Sequence, residues 1–320
     1  MPGPTLPPIR QLRSDAHGWA FYLCVAKELR TSRQGEFISL TLQDATGRIA
    51  ARVFDDVENQ KREFEAGEFV KAQGRTNMYN GRLQLVVDRV RRVHADQDRP
   101  IGFREEDLVM SAPRPIDDMW AELQGLVAGV KDPHIRALLE RLSAAHEAQL
   151  RVWPAAQLVH HAYRGGFLEH ILQIARVGAL LADAYQANRD IVVAGAILHD
   201  IGKLQELSYD TATSYSREGN LIGHIALGLV MVREATAGIP GFPEALRAQV
   251  EHLVVSHHGS LEFGSPVQPQ TIEAFIVSMV DDLDATLNQI RQAIAEDSAE
   301  GEFTSYHHRL GRVFFKGLRN

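Results

Sequence analysis

Seven residues in the C-terminal two-thirds of the chain have the types and the order to hold metal ions. They are His170, the pair His199–Asp200, His224, the pair His257–His258, and Asp281. Imidazole nitrogens together with carboxylate oxygens suit divalent ions of borderline hardness such as zinc, manganese, iron or cobalt. In an adjacent His-Asp pair the carboxylate can bridge two ions while the histidine ligates one of them. Two ions about 3.5–4 Å apart can clamp a phosphoryl group and hold a hydroxide for in-line attack. A lone histidine on an apolar helix is ordinarily a core or surface residue, and His17, His94, His134, His146, His252, His307 and His308 are read that way. His199–Asp200 stands apart by position. It directly follows the apolar run AGAIL, where burying a charge-capable pair without a partner is costly.

Such ligands need a rigid frame. From Met119 onward the pattern is helical, rich in Leu and Ala. Helices are expected over 119–130, 133–150, 167–185, 190–204, 224–238, 243–258 and 271–296. His170 then sits one turn into a helix that starts after Gly165–Gly166. His199–Asp200 close the apolar helix, and Ile201, Gly202 and Lys203 follow. His224 opens another helix, His257–His258 close a third just before Gly259, and Asp281 lies inside the last. Asp282 and Asp284 flank Asp281, and on a helix Asp282 points about 100° away from it. Glu169 and Glu273 read as ordinary helix carboxylates.

Residues 18–93 read as strands instead. Ile38, Leu40 and Leu42 alternate with Phe37, Ser39 and Thr41. Ile49, Ala51 and Val53 alternate with Arg48, Ala50, Arg52 and Phe54. Turns at Arg33–Gly35 and Asp44–Gly47, a short helix over Val57–Glu65, a strand from Glu68, and a hairpin at Asn80–Gly81 leading to a fifth strand complete the pattern. Five strands with one helix between the third and fourth match the OB-fold plan. The expected fold is therefore two-domain. An all-β OB barrel occupies residues 1–95, a polar linker with three prolines residues 96–118, and an all-α helical bundle residues 119–320. Phe37, Arg48, Arg52 and Phe54 fall on the face opposite Ile38, Leu40, Ile49, Ala51 and Val53. Aromatics for base stacking and arginines for phosphates are what sequence-tolerant single-strand binding needs. Arg75, Tyr79 and Arg82 would extend that track. Phe37 or Phe54 could instead cover the short helix or the barrel end.

Composition narrows the classes. The chain of 320 residues is 45% hydrophobic and 23% charged, ordinary for a globular protein of two domains. The longest apolar run, Ile191–Leu198, falls well short of the roughly 18 residues of a membrane span. The first residues lack the apolar core of a secretory signal, so a cytoplasmic location is expected. A single cysteine, Cys24, excludes an intrachain disulfide and a cysteine-based zinc cluster, and its strand-like surroundings suggest a buried thiol. Net charge is −7, but residues 1–95 hold 15 Lys+Arg against 11 Asp+Glu, while the rest is net acidic. A basic module joined to an acidic one suggests two tasks.

With these features the chain resembles the HD-domain phosphohydrolases, and more closely the OB-plus-HD exoribonucleases of the YhaM type. The resemblance rests on HHAYRGGFLEH at 160–170, ILHDIGKLQEL at 197–207, GHIALG at 223–228, SHHGSLEFGSP at 256–266 and DDLDA at 281–285. LTLQDATGRIAARVFD and YNGRLQL carry it in the N-terminal module. It implies a 3′→5′ exonuclease acting on single-stranded RNA, with single-stranded DNA as a second substrate, releasing nucleoside 5′-monophosphates. It implies two divalent ions, typically manganese, with cobalt, iron, zinc or magnesium as alternatives. His170, His199, Asp200 and Asp281 would hold the first ion. Asp200 would bridge to a second, completed by His224 and His257, with His258 replacing or joining His257. Lys203 would neutralise developing phosphate charge, and otherwise reads as a solvated lysine at a helix end. His160, His161 and Tyr163 would line the substrate entrance or form a polar loop. A homo-oligomer is compatible with the sequence; a membrane partner is not expected. Two alternatives stand beside this reading. One is an HD phosphodiesterase of small or cyclic nucleotides. The other is a non-catalytic nucleic-acid-binding or nucleotide-sensing protein. The OB module argues against the first, and the complete ligand set against the second.

Overall fold

The computed structural model describes residues 4–32, 35–155, 163–209, 213–297 and 301–317. These divide into two compact units, the described parts of 1–111 with those of 296–320, and the described parts of 112–295. Relative to boundaries at 95 and 118, residues 96–111 and the C-terminal segment thus group with the N-terminal unit.

That unit holds a closed barrel of β1 (His17–Ser32), β2 (Gly35–Asp44), β3 (Gly47–Val53), β4 (Phe69–Tyr79) and β5 (Arg82–Arg92). The strands close in the order β1-β2-β3-β5-β4, with β3 and β5 parallel and the other pairs antiparallel. The period of two does what it must. Ile38, Leu40, Leu42, Ile49, Ala51 and Val53 all point into the buried core. Cys24 is buried as well, and burial pushes its thiol up to about 12, which makes it inert.

The helix expected over Val57–Glu65 is a single turn, α1 (Val57–Gln60). Buried Gln60 and Phe64 end it. The Gln60 side chain donates to the carbonyls of Asp55 and Asp88 and accepts from the Val90 amide at 2.8 Å. Lys27 Nζ donates to the carbonyls of Lys61 and Phe64, and a helix reaching Glu65 would have used the first of these for itself. Beyond β5, α2 (Ala95–Asp98) begins a strap rather than a free linker. Asp98 accepts both guanidinium nitrogens of Arg91 at 2.7 Å, and Phe103 and Leu108 pack with Trp19 and Phe21.

The second unit contains α3 (Ile116–Ala128), α4 (Pro133–Ala145), α5 (Glu147–Leu150), α6 (Gly166–Tyr185), α7 (Arg189–Leu198), α8 (Lys203–Glu206), α9 (Arg217–Ile222), α10 (His224–Ala237), α11 (Glu244–Ser256) and α12 (Ile272–Glu296). A short hairpin, β6 (Leu207–Tyr209) and β7 (Thr213–Tyr215), precedes α9. Residues Ile191–Leu198 of α7 are buried on every side, as an apolar helix without a polar face must be. Neighbours reach it across glycines. A Cβ on Gly195 would lie 2.8 Å from Val277 Cγ2, and one on Gly178 2.9 Å from Val192 Cγ1.

Two expected helices are interrupted. The segment 133–150 breaks at His146, whose backbone leaves the helical region at φ −121°, ψ 17°; beyond the break the Gln149 side chain donates to the Leu204 carbonyl at 3.1 Å. The segment 190–204 ends at Leu198, and residues 199–202 form a turn. There the Gly202 backbone rests on α10. A Cβ on it would lie 2.0 Å from the His224 carbonyl oxygen and 2.5 Å from the Gly228 nitrogen. No helix among the described residues is long and apolar enough to cross a membrane.

Candidate metal centre

The turn after α7 presents His199 and Asp200 at the centre of the helical unit, and four other elements bring side chains to them. His170 comes from the second turn of α6 and Asp281 from the middle of α12. His224 is the first residue of α10, where Gly223 at φ 79° turns the chain sharply out of α9. His257 ends α11.

Asp200 is the hub. Its Oδ2 lies 3.4 Å from His199 Nε2 and 3.7 Å from His170 Nε2. Its Oδ1 lies 3.3 Å from His224 Nε2 and 3.5 Å from His257 Nε2. Asp281 Oδ1 joins the first side, 3.3 Å from His170 Nε2 and 3.8 Å from His199 Nε2. The potential ligand atoms therefore fall into two groups, His170, His199 and Asp281 on one side, and Asp200, His224, His257 and His258 on the other. Within each group the atoms lie within 4.8 Å of one another. The two oxygens of one carboxylate face the two groups. His258 belongs to the second group but is less buried than His257.

The imidazoles are held by their other nitrogens. Nδ1 of His199, His257 and His258 lies 3.0, 2.7 and 2.7 Å from the carbonyls of Ala196, Val254 and Phe263. A carbonyl has no proton to give, so each Nδ1 is the donor, and in the neutral ring Nε2 keeps its lone pair for the centre. His170 Nδ1 meets Asp284 Oδ2 at 2.9 Å, and His224 Nδ1 meets Glu206 Oε1 at 3.1 Å. Such anchoring through the second nitrogen is how metal-binding histidines are oriented.

The residues fit a divalent pair. Nε2 of His199, His224 and His257 and Oδ1 of Asp200 are buried without a hydrogen-bond partner among the described residues. Orphaned polar atoms of this kind are expensive unless a ligand satisfies them. The electrostatics divide the rings: burial opposes a charge on His199, but the Asp200 and Asp281 carboxylates overcome it and raise its hold on a proton, which a bound cation would displace. Burial holds the His257 imidazole down to about 4, so it is neutral near pH 7. Burial opposes the Asp200 charge, but the Lys203 ammonium and His199 hold that carboxyl well below the usual carboxylate range. Asp281 behaves alike, with burial overcome by His170 and His199. Lys203 Nζ sits 2.6 Å from Asp200 Oδ2 and is largely buried, not the solvated helix-end lysine that its sequence position allows.

Glu206 belongs to no ligand pattern in the sequence, and Asp284 stands there only as a neighbour of Asp281. Asp284 was legible in principle, since position i+3 shares a helix face with Asp281. Glu206 gave no local sign, because its partner His224 is remote in sequence. Glu206→Gln is expected to weaken divalent-metal binding by about 10–100-fold, the usual loss when a metal-bound histidine loses its anchor. Isothermal titration with Mn²⁺ checks this, and unchanged affinity would remove Glu206 from the centre.

Tyr163 donates to Glu169, so Glu169 is more than a solvated helix carboxylate. Glu273 accepts from the Asn188 amide at the start of α7. His160 and His161 lie outside the described residues. On the barrel, Phe54 is exposed, and its ring lies 5.5 Å from that of half-buried Phe37. Arg48 and Arg52 are half-buried, with Arg48 Nε donating to Gln43 Oε1 at 2.8 Å. Arg75, Tyr79 and Arg82 are exposed, and Tyr79 faces Arg82 across the β4–β5 hairpin.

Comparison with known proteins matches residues 167–286 to the HD domain and residues 25–93 to the OB-fold nucleic acid binding domain. The 3′-5′ exoribonuclease YhaM of Bacillus subtilis (strain 168) is 34% identical over 282 residues, covering 88% of each chain. The protein of the same name from Geobacillus sp. (strain WCH70) is 33% identical over 286 residues, covering 88% of this chain and 86% of its own.

Proposed function

The chain belongs to the YhaM family of 3′-5′ exoribonucleases, and from that premise we propose that it shortens single-stranded RNA from the 3′ end to nucleoside 5′-monophosphates, using two divalent ions, manganese in this reading, that Asp200 would help to hold. It is a metal-dependent 3′-5′ exoribonuclease built from an OB-fold barrel and a helical HD domain. One observation carries the finer reading. The two oxygens of Asp200 face two separate sets of imidazoles whose Nε2 atoms converge on it. In this reading His170, His199, Asp200 and Asp281 would hold one ion, and Asp200, His224 and His257 would hold the other. His258 stands beside the second set, close enough to join it.

When bound, such ions would supply charge neutralisation at the scissile phosphate and a nucleophile at neutral pH. The protein's part is positional. Carbonyl and carboxylate anchors fix each ring before substrate arrives, so no reorganisation is needed during the reaction. Lys203 is placed beside Asp200 to meet negative charge that develops on the phosphate. On the barrel, Phe37 and Phe54 offer stacking surfaces, while Arg48, Arg52, Arg75 and Arg82, with Tyr79, line a track for unpaired bases and their phosphates. Single-stranded DNA presents the same stacking surfaces and phosphates and would bind the same track.

The test uses 5′-labelled single-stranded RNA with Mn²⁺, beside a cyclic dinucleotide. The expected result is a descending one-nucleotide ladder from the RNA and an intact cyclic dinucleotide. Turnover of the cyclic dinucleotide with untouched RNA would replace this reading with a small-nucleotide phosphodiesterase.

A further inference from the structure

We propose that the C-terminal hairpin, residues 303–315, is a second contact for single-stranded RNA. The proposal rests on the exoribonuclease reading for its ligand.

The segment 301–317 contrasts with the acidic C-terminal part of the chain. It carries Arg309, Arg312 and Lys316 against a single acidic residue, Glu302, and four of its residues are Phe or Tyr. Its shape is fixed from behind. Lys316 Nζ pairs with Asp297 Oδ1 at 2.9 Å, both side chains being buried. The amides of Thr304, His307 and Lys316 bond the carbonyls of Phe314, Arg312 and Glu302 at 2.8, 2.9 and 2.7 Å. Phe303 bridges to Phe315 across the strands, and their rings lie 5.5 Å apart.

The outer side chains touch one another, Phe303 against Phe315, and Arg312 Nε donates to the Leu310 carbonyl at 3.1 Å, yet each keeps exposed surface. Phe303, Tyr306, Val313 and Phe315 are each about half exposed, and Arg309 and Arg312 are exposed beside the turn. Aromatic surface left in water is unfavourable unless something covers it. Aromatic faces interleaved with cations fit a ligand that is both stacked and anionic, and unpaired RNA is such a ligand. The segment groups with the barrel's unit, which offers the same chemistry.

The test uses the full chain, in EDTA to prevent hydrolysis, and a fluorescent single-stranded RNA of about 20 nucleotides, longer than one OB-fold site. Phe303→Ala with Tyr306→Ala is expected to weaken binding at least about tenfold, in the range of losing one or two stacked bases. Arg309→Ala with Arg312→Ala is expected to reduce the slope of log affinity against log salt by about 1.4, two contacts on a single strand. Affinity within twofold of the parent for both double variants, with an unchanged slope, would overturn the proposal. So would a loss that sedimentation traces wholly to dissociation of an oligomer, which would make the hairpin a contact between copies. Parent protein with Mn²⁺ is the separate control. If it leaves the RNA intact while the binding results hold, the nuclease reading fails and the hairpin contact stands.

Discussion

Asp200→Asn is expected to lower RNA hydrolysis by at least about 10³-fold, some 4 kcal/mol of transition-state stabilisation, with the chain still folded. Asparagine preserves the shape of the side chain but removes the charge and one of the two oxygens. Those oxygens are 3.3–3.7 Å from four imidazole nitrogens, so one side of the centre loses its oxygen outright and the other keeps only a neutral amide oxygen. Asp200→Ala should be as inactive and less stable, because Lys203 Nζ, now 2.6 Å from Oδ2, would be left in a largely buried place without its carboxylate. Single-turnover kinetics with saturating Mn²⁺, beside circular dichroism, separate the two effects. Turnover of the asparagine variant within a few-fold of the parent would take the chemistry away from this centre.

Gly202→Ala is expected to cost about 3 kcal/mol of stability or more, at the upper end for overpacking a core. It adds one methyl group at an unstrained backbone angle, φ −63°, so the whole effect is steric. That methyl group would lie 2.0 Å from the His224 carbonyl oxygen and 2.5 Å from the Gly228 nitrogen. Both are backbone atoms of α10, which cannot swing aside as a side chain would. Either the 199–202 turn or the start of α10 must move, and each carries metal-site residues. Mn²⁺ affinity should therefore fall together with the urea midpoint. A variant with parent-like midpoint and affinity would mean that this close approach is not needed to hold the two elements in register.

The barrel was legible because its chemistry is local. Alternation from Phe37 to Phe54 specifies which residues enter the core, and neighbouring strands share short turns. The metal-site residues were legible for another reason. Histidine and aspartate at the edges of apolar helices are costly there without a partner, so their order along the chain carries information. What stayed hidden depends on residues far apart. The string LHDIGKL reads as continuing helix by propensity, and only the approach of α10 to Gly202 makes it a turn. Gln60 ends α1 through bonds to Asp88 and Val90 on β5, which no window around residue 60 contains. The residues after β5 look like a polar linker, yet Phe103 and Leu108 find partners in β1.

The most direct test of the central claim is the fate of a 5′-labelled RNA hairpin with a single-stranded 3′ tail, incubated with Mn²⁺ beside the same sequence closed into a circle. A stacking platform needs unpaired bases, and the chain carries no ATP-driven motor motif. The tail should shorten in single-nucleotide steps to near the stem and stop there, while the circle stays intact. Mid-strand fragments as the first products, or equal cleavage of the circle, would contradict a 3′-5′ exoribonuclease.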